Sequence, residues 1–242
     1  MTEMTNNPYE APKADVNAPA GESGPSGNLE DALAGRYDFD IGEVMREAWG
    51  LTRGMKASFW GAAVIVYAVI FVLAFLGSAV AGKHLVLSVL WNILFGAMMP
   101  VLIVGILMMG VRRAAGLPIS FATAFSCIDR AAPLFLAGLL STFLTYLGLL
   151  LLIIPGIYLS IGYMMTYPLI ADRRLGPWEA LETSRKAITR RWFQFFGLLI
   201  VVGLLVALSA LPLGIGLIWT APWSINVIGV VYRRTFGVAQ TS

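Results

Sequence analysis

The sequence predicts an all-α polytopic membrane protein, with about six transmembrane helices arranged as three hairpins and joined by short interfacial amphipathic helices. Three observations predict it. Four blocks, 57–82, 84–111, 131–171 and 195–232, carry no Asp, Glu, Lys or Arg. Only 13% of the chain is charged and 58% is hydrophobic, with a mean hydropathy of +0.77, whereas a soluble domain holds about 25% charged residues. Of the seventeen Lys and Arg residues, all but Lys83 fall where one side of a bilayer would collect them. Apolar runs of roughly 18 residues or more read as membrane-spanning. Hydrocarbon offers the backbone no hydrogen-bond partners, so each span must be a helix.

In chain order, residues 1–39 are rich in Pro, Gly, Ala, Asn and Glu, and they are expected to form a disordered acidic cytoplasmic tail. They contain no apolar run of signal-peptide type, so the first span is expected to serve as its own insertion signal. Residues 40–234 form the integral membrane domain and 235–242 a short C-terminal tail. Asp40 is placed to cap a helix running to about Met55, with Ile41, Val44, Met45, Ala48, Trp49 and Thr52 on one face. That helix is too short to cross and is expected at the interface.

The spans follow near 59–80 and 86–111, separated by the tight turn Gly82-Lys83-His84, with Pro100 a kink in the second. Residues 117–131 read as a second amphipathic segment, with Phe121, Ala124, Phe125 and Ile128 on one side. The block from Ala132 to Ala171 would make a helix about 60 Å long, twice the ~30 Å core. It must fold back, and Pro155-Gly156 marks the turn between spans near 133–154 and 157–171. Pro212-Leu213-Gly214 likewise divides spans near 195–211 and 215–232. Between the fourth and fifth spans, Pro177 and Glu179 open a helix that Lys186, Arg190 and Arg191 close, which complements its dipole. Trp178, Leu181, Ile188 and Trp192 supply that helix's apolar stripe.

Arg pairs begin at 112, 173 and 233, at intervals of 61 and 60 residues. Each closes a unit of amphipathic helix, span, tight turn and span, and Gly61, Gly138 and Gly197 occupy matching places. The reading is three parallel hairpins in one orientation, with both termini cytoplasmic. Trp60, Trp91, Tyr158, Tyr167, Trp192 and Tyr232 fall where an aromatic belt would.

The same residues bound the chemistry. No Asp, Glu, Lys, Arg or His lies within a predicted span, and the absence argues against a pump, a voltage sensor or a proton-coupled carrier. Polar groups at Asn92, Thr142, Thr145, Tyr146, Ser160, Tyr163, Thr166, Ser209 and Asn226 read first as interhelical hydrogen bonds, although they would also suit a cavity lining. His84, without Cys or carboxylate neighbours, is an exposed turn residue rather than a zinc ligand. The lone Cys127 is a quiet helix-face thiol that should react only with reagents reaching the cytoplasm. Glu179 and Glu182 cap and solvate a helix. No catalytic set, metal site or cofactor is expected, and the short basic clusters at helix ends are topology signals rather than a nucleic-acid surface.

The basic cluster Arg173, Arg174, Arg185, Lys186, Arg190 and Arg191 is the candidate site. Charges so clustered are suited to anionic lipid headgroups, each contributing about 1 kcal/mol near the surface. The competing reading is topology alone.

The stretch 150–197 carries a resemblance. Leu151-Leu152-Ile153-Ile154-Pro155-Gly156-Ile157-Tyr158-Leu159 is followed by Tyr167-Pro168, by Ile170-Ala171-Asp172 and by Trp178-Glu179-Ala180-Leu181-Glu182-Thr183-Ser184-Arg185. It resembles the uncharacterised bacterial multi-span proteins that include the YciC-like group, and the membrane domain fused to some glycerophosphoryl diester phosphodiesterases. Asn7-Pro8-Tyr9 is similar to the short leader on such proteins. The resemblance implies a multi-span fold in a bacterial inner membrane. It implies no established activity, and since no phosphodiesterase domain is expected within these residues, that activity is not carried over. The expectation is a non-enzymatic scaffold or accessory protein that contacts anionic lipid or a membrane protein partner. The alternative is a transporter or passive channel for a small or amphipathic solute, which a polar cavity lined by Asn92, Thr145, Tyr163 or Asn226 would favour.

Overall fold

The computed structural model describes residues 25–81 and 84–239. The turn residues Gly82 and Lys83, the Asn-Pro-Tyr leader and the rest of 1–24 lie outside the described residues. Ten α-helices, with no strand among the described residues, follow in order: α1 (Leu29–Ala34), α2 (Ile41–Leu51), α3 (Lys56–Ala81), α4 (Leu85–Ala114), α5 (Ala131–Leu151), α6 (Ile153–Gly162), α7 (Thr166–Arg173), α8 (Pro177–Thr189), α9 (Trp192–Ala210) and α10 (Leu217–Phe236).

Five helical stretches are long and apolar enough to cross a membrane: Lys56–Ala81, Leu85–Ala114, Phe121–Leu151, Ile153–Arg173 and Trp192–Ala210. The segment expected as a sixth span, α10, has 20 residues and falls outside that group. From its second turn onward it carries Ser224, Asn226, Tyr232 and the Arg pair, and that stretch is buried against α2 and α4 instead of presenting an apolar surface.

A short helix followed by two long ones occurs at α2–α4 and α8–α10, whereas in the middle 3-10 turns precede α5 and the returning stretch is broken into the shorter α6 and α7; α3 packs on α4, α5 on α6, and α9 on α10. Of the three matched glycines only Gly138 marks a close helix approach. A Cβ there would lie 2.5 Å from the Ala97 carbonyl, next to the Pro100 ring, whereas Gly61 and Gly197 meet only ordinary side-chain contacts. A close crossing of α4 and α10 was not anticipated. At Gly110 of α4 and Gly229 of α10 the two backbones touch, and a Cβ on Gly229 would overlap the Gly110 carbonyl.

Local chemistry explains where the elements begin and end. The Asp40 side chain accepts the Glu43 amide at 2.8 Å and starts α2 as expected. The helix stops at Leu51, short of Met55, because Thr52–Met55 turns through Gly54 at φ 78°. Instead of lying alone at an interface, α2 is packed on α10. Trp223 donates its indole N–H to the Met45 carbonyl at 3.0 Å, and the buried Asn226 amide reaches the Ala48 carbonyl and the Thr52 hydroxyl.

The expected amphipathic segment at 117–131 is a pair of 3-10 turns, Phe121–Phe125 and Ile128–Arg130. Ala124 is buried, but Phe121 and Ile128 are exposed, so the four residues do not share a face. Ser120 and Thr123 form a reciprocal cap, and tight i+3 turns replace a full helix over so short a stretch.

The turn between α5 and α6 falls at Leu152, whose backbone is extended, so Pro155-Gly156 lies inside the first turn of α6. Proline is tolerated there because the first-turn amides have no helical partner. Gly156 then lets α6 lie against Gly148 and Leu149 of α5. The turn at 211–216 sits where expected, with Leu213 at φ 52° and Gly214 at φ 78°.

Residues 25–39, expected to be part of a disordered tail, are folded onto the helices. Ala32, Tyr37 and Phe39 are buried, and both rings meet Phe195 edge-on. Asn28 caps α1, Gly35 closes it at φ 76°, and the Tyr37 hydroxyl donates to the Ala187 carbonyl at 2.8 Å. Contacts of Tyr37 and Phe39 with α8 and α9 contribute against the ordering entropy that composition alone made look prohibitive.

Candidate functional site

The basic cluster sits at the end of α7 and along α8, and its six members divide into two kinds. Arg173 and Arg185 are built into the scaffold. Arg173 reaches across to the end of α10 and donates to the Phe236 and Gly237 carbonyls. Those carbonyls have no helical partner of their own, and a cation suits the negative end of the helix dipole. Arg185 makes a two-pronged bond to Glu182 at 2.9 and 2.8 Å and donates to the Tyr158 hydroxyl of α6 at 3.2 Å. Thr189 donates to the Arg185 carbonyl and contacts the Tyr158 hydroxyl at 2.6 Å, so α8 is latched to α6. The Arg185 guanidinium holds the Glu182 carboxyl below its ordinary range, with Lys186 at 3.3 Å adding to the effect.

Arg174, Lys186, Arg190 and Arg191 are the exposed members. Arg174 is the left-handed residue ending α7, and it lies 3.9 Å from Asp129 with 71% of its side chain in solvent. Lys186 is 58% exposed and Arg191, paired with Asp38 at 3.6 Å, is 42% exposed. Arg190 rests its stem against Gly35, and no carboxylate among the described residues pairs with it. The arrangement therefore puts the cluster into one region without making it one surface.

The buried face of α8 is Ala180, Leu181, Ser184, Ala187 and Ile188. Leu181 and Ile188 were expected on it, but Trp178 points out and is 61% exposed. Ser184 fixes the helix by donating to the Gly162 carbonyl at 2.6 Å and accepting from the Met165 amide at 3.2 Å, at the break between α6 and α7. An apolar groove of about 470 Å³ opens where α8 ends, walled by Ile154, Ile157, Trp192, Phe193 and Phe196, with Tyr158 and Thr189 at its polar end.

A second groove of about 400 Å³ lies between α4, α5 and α6. Asn92, Thr142, Thr145, Ser160, Tyr163 and Tyr167 face it. Three of the four residues named for a solute cavity are thus together. Asn226 is elsewhere, enclosed between α10 and α2. Several polar groups also spend their bonds within the fold: Asn92 on the Ser88 carbonyl, Ser160 on the Ile157 carbonyl, Ser141 with Tyr167, and Ser209 with Thr220.

The remaining singled-out residues are placed as follows. Tyr232 belongs to the core and not to an aromatic belt: it is fully buried and donates to Asp172 at 2.8 Å. Cys127 is buried, so its reactivity is governed by access as well as by the side of the membrane it faces. Among the described residues no three His, Cys, Asp or Glu side chains gather to hold a metal ion.

Sequence reading missed the acidic partners of the last Arg pair. Arg233, 2% exposed, lies 2.7 Å from Glu47, and Arg234 contacts Glu43 and Glu47 at 3.2 and 2.9 Å. Glu43 and Glu47 are four apart on α2, the spacing that puts two side chains on one helix face, and that was the available signal. No family model, no curated protein and no solved structure matches the chain.

Proposed function

We propose that this chain is a multi-pass protein of a bacterial inner membrane, with about six spans in three hairpins and both termini in the cytoplasm. It works without catalysis, as a scaffold or accessory protein whose basic α8 region holds anionic lipid headgroups or docks a membrane partner. The similarity of 150–197 to the YciC-like proteins points the same way. Placing α10 as the sixth span keeps all three Arg pairs on one side.

One observation carries the lipid reading. Lys186, Arg190 and Arg191 stand exposed around Thr189, the residue at the end of α8 that lines an apolar groove with Ile157, Trp192 and Phe193. A phospholipid needs that pairing of cations for its phosphate with apolar walls for its chain. The weak surface ion pairs of Lys186 and Arg191 do not forbid exchange with a headgroup. The test is charge removal at Lys186, Arg190 and Arg191 (each →Gln), with lipids counted by mass spectrometry after purification in mild detergent. Loss of phosphatidylglycerol and cardiolipin relative to phosphatidylethanolamine supports the reading. Unchanged lipids and unchanged co-purifying proteins would end it.

A second reading, transport of a small or amphipathic solute, is favoured by the polar groove at Asn92, Thr145 and Tyr163. Solute flux in reconstituted vesicles that falls with Tyr163→Phe and Thr145→Val would move the assignment there.

A further inference from the structure

Three arginines from distant parts of the chain line one cleft that the α8 surface does not include. Arg112 comes from the last turn of α4, Arg130 from the 3-10 turn before α5, and Arg174 from the end of α7. The cleft holds about 240 Å³. That is below the roughly 300–1,000 Å³ of drug- and cofactor-sized pockets, so its occupant is small or is one end of something larger. Met108 and Ala171 form apolar wall on the side of the long helices.

Two carboxylates share the cleft, and neither satisfies the three cations. Asp172 is committed elsewhere, accepting the Tyr232 hydroxyl at 2.8 Å and the Ala239 amide at 3.0 Å. Asp129 is shared between Arg130 at 3.6 Å and Arg174 at 3.9 Å, both long single contacts, and its own side chain is 56% exposed. Arg112 has no carboxylate partner among the described residues. Its one bond is a 3.4 Å contact from Nε to the Pro118 carbonyl. The cleft therefore keeps a net positive charge and three guanidiniums, none of whose forks is engaged in paired bonds among the described residues. A tetrahedral oxyanion meets such forks with two oxygens at a time, and this is where arginine outperforms lysine.

We propose that the cleft of Arg112, Arg130 and Arg174 is a phosphate-binding site. The group is a phosphate mono- or diester, carried by a lipid headgroup or free in solution, with Asp129 the internal competitor it displaces. The lipid source rests on the membrane placement given above, which sets these helix ends at headgroup level. The phosphate chemistry rests on the cleft alone.

The test uses the full chain in nanodiscs of phosphatidylcholine with added phosphatidylglycerol, read by native mass spectrometry, and the detergent-purified chain titrated with inorganic phosphate, read by its melting temperature. R112Q/R130Q is expected to weaken retention of the anionic lipid at least fivefold, the equivalent of the ~1 kcal/mol a single surface cation contributes. R112K/R130K should fall between, since it keeps charge and loses the fork. D129N should bind more tightly than wild type, a gain that mere structural damage does not produce. A phosphate-dependent rise in melting temperature that R112Q/R130Q abolishes identifies free phosphate as a ligand. Lipid retention without that rise identifies the headgroup. No difference between wild type and R112Q/R130Q with either probe, or weaker binding by D129N, overturns the site. None of the three variants touches Lys186, Arg190 or Arg191, so the α8 reading stands or falls by its own measurement.

Discussion

Arg233 and Glu47 lie 2.7 Å apart, the arginine almost wholly enclosed at the end of α10 and the carboxylate on α2. The pair joins a helix near the start of the described chain to one near its end. Arg233 also donates to the Ala114 carbonyl at 2.5 Å and to the Pro25 carbonyl at 3.3 Å.

Breaking that pair from one side should be costly. Glu47→Gln leaves a buried guanidinium without its counter-charge, which costs about 3–5 kcal/mol. Glu43→Gln, removing the more exposed partner of Arg234, should cost under about 1 kcal/mol. Unfolding by denaturant in detergent measures both, and equal effects would mean that the burial of Arg233 is not what matters.

Contact between backbones at Gly110 and Gly229 leaves no space for a methyl group. Gly229→Ala should force α4 and α10 apart and lose roughly 1–3 kcal/mol. Gly203→Ala is the control, since nothing lies within 4 Å of a Cβ there. Helix propensity alone should make that change neutral or stabilising by about 0.5–1 kcal/mol. The melting temperature should fall in Gly229→Ala and hold level or rise in Gly203→Ala.

Leu213 occupies the left-handed region at φ 52° with its side chain 96% exposed. An L-residue with Cβ pays about 1–2 kcal/mol there. Leu213→Gly removes the clash and Leu213→Asn reduces it, so both should raise the melting temperature or leave it level. A clear drop with Leu213→Gly would mean that the leucine side chain packs on something in the membrane.

The latch of α8 on α6 should weaken in acid. The Arg185 bond lowers the Glu182 carboxyl from its ordinary 4.5. A group lowered on folding contributes stability that is complete above its unfolded value and is lost as pH falls through the folded one. The protection factors of the α8 amides, exchange corrected for its intrinsic pH dependence, should therefore be flat near neutrality and fall below the ordinary carboxylate range. In Glu182→Gln that fall should be absent, and protection should already be lower at neutral pH.

The parts of the fold legible in the sequence were those set by composition and by local chemistry. Long uncharged blocks gave the apolar helices, Asp40 gave the start of α2, and Leu213-Gly214 gave the last turn. The break at Leu152 was misplaced by a few residues because Pro155 is equally at home in a turn and in a helix's first turn. What could not be read was mutual placement. Tyr37 and Phe39 look like isolated apolar residues in a polar tail until Phe195 stands opposite them. Arg112 and Arg130 share no periodicity, and only the packing of α4 against the following turns brings them to one cleft. Arg173 and Arg185 read as surface charge, but helix-end carbonyls and a carboxylate claim them. Side-chain pairing across distant elements leaves no mark on a single helix's pattern.

The clasp of Arg233 on the Ala114 carbonyl also bears on how the molecule is made. A ribosome finishes α4 more than a hundred residues before it delivers the arginine that completes the end of that helix. Until Arg233 emerges, the end of α4 lacks that donor. A product cut just before Arg233 would keep the Ala114 carbonyl unclasped and lose the join between α4 and α10 that the arginine supplies.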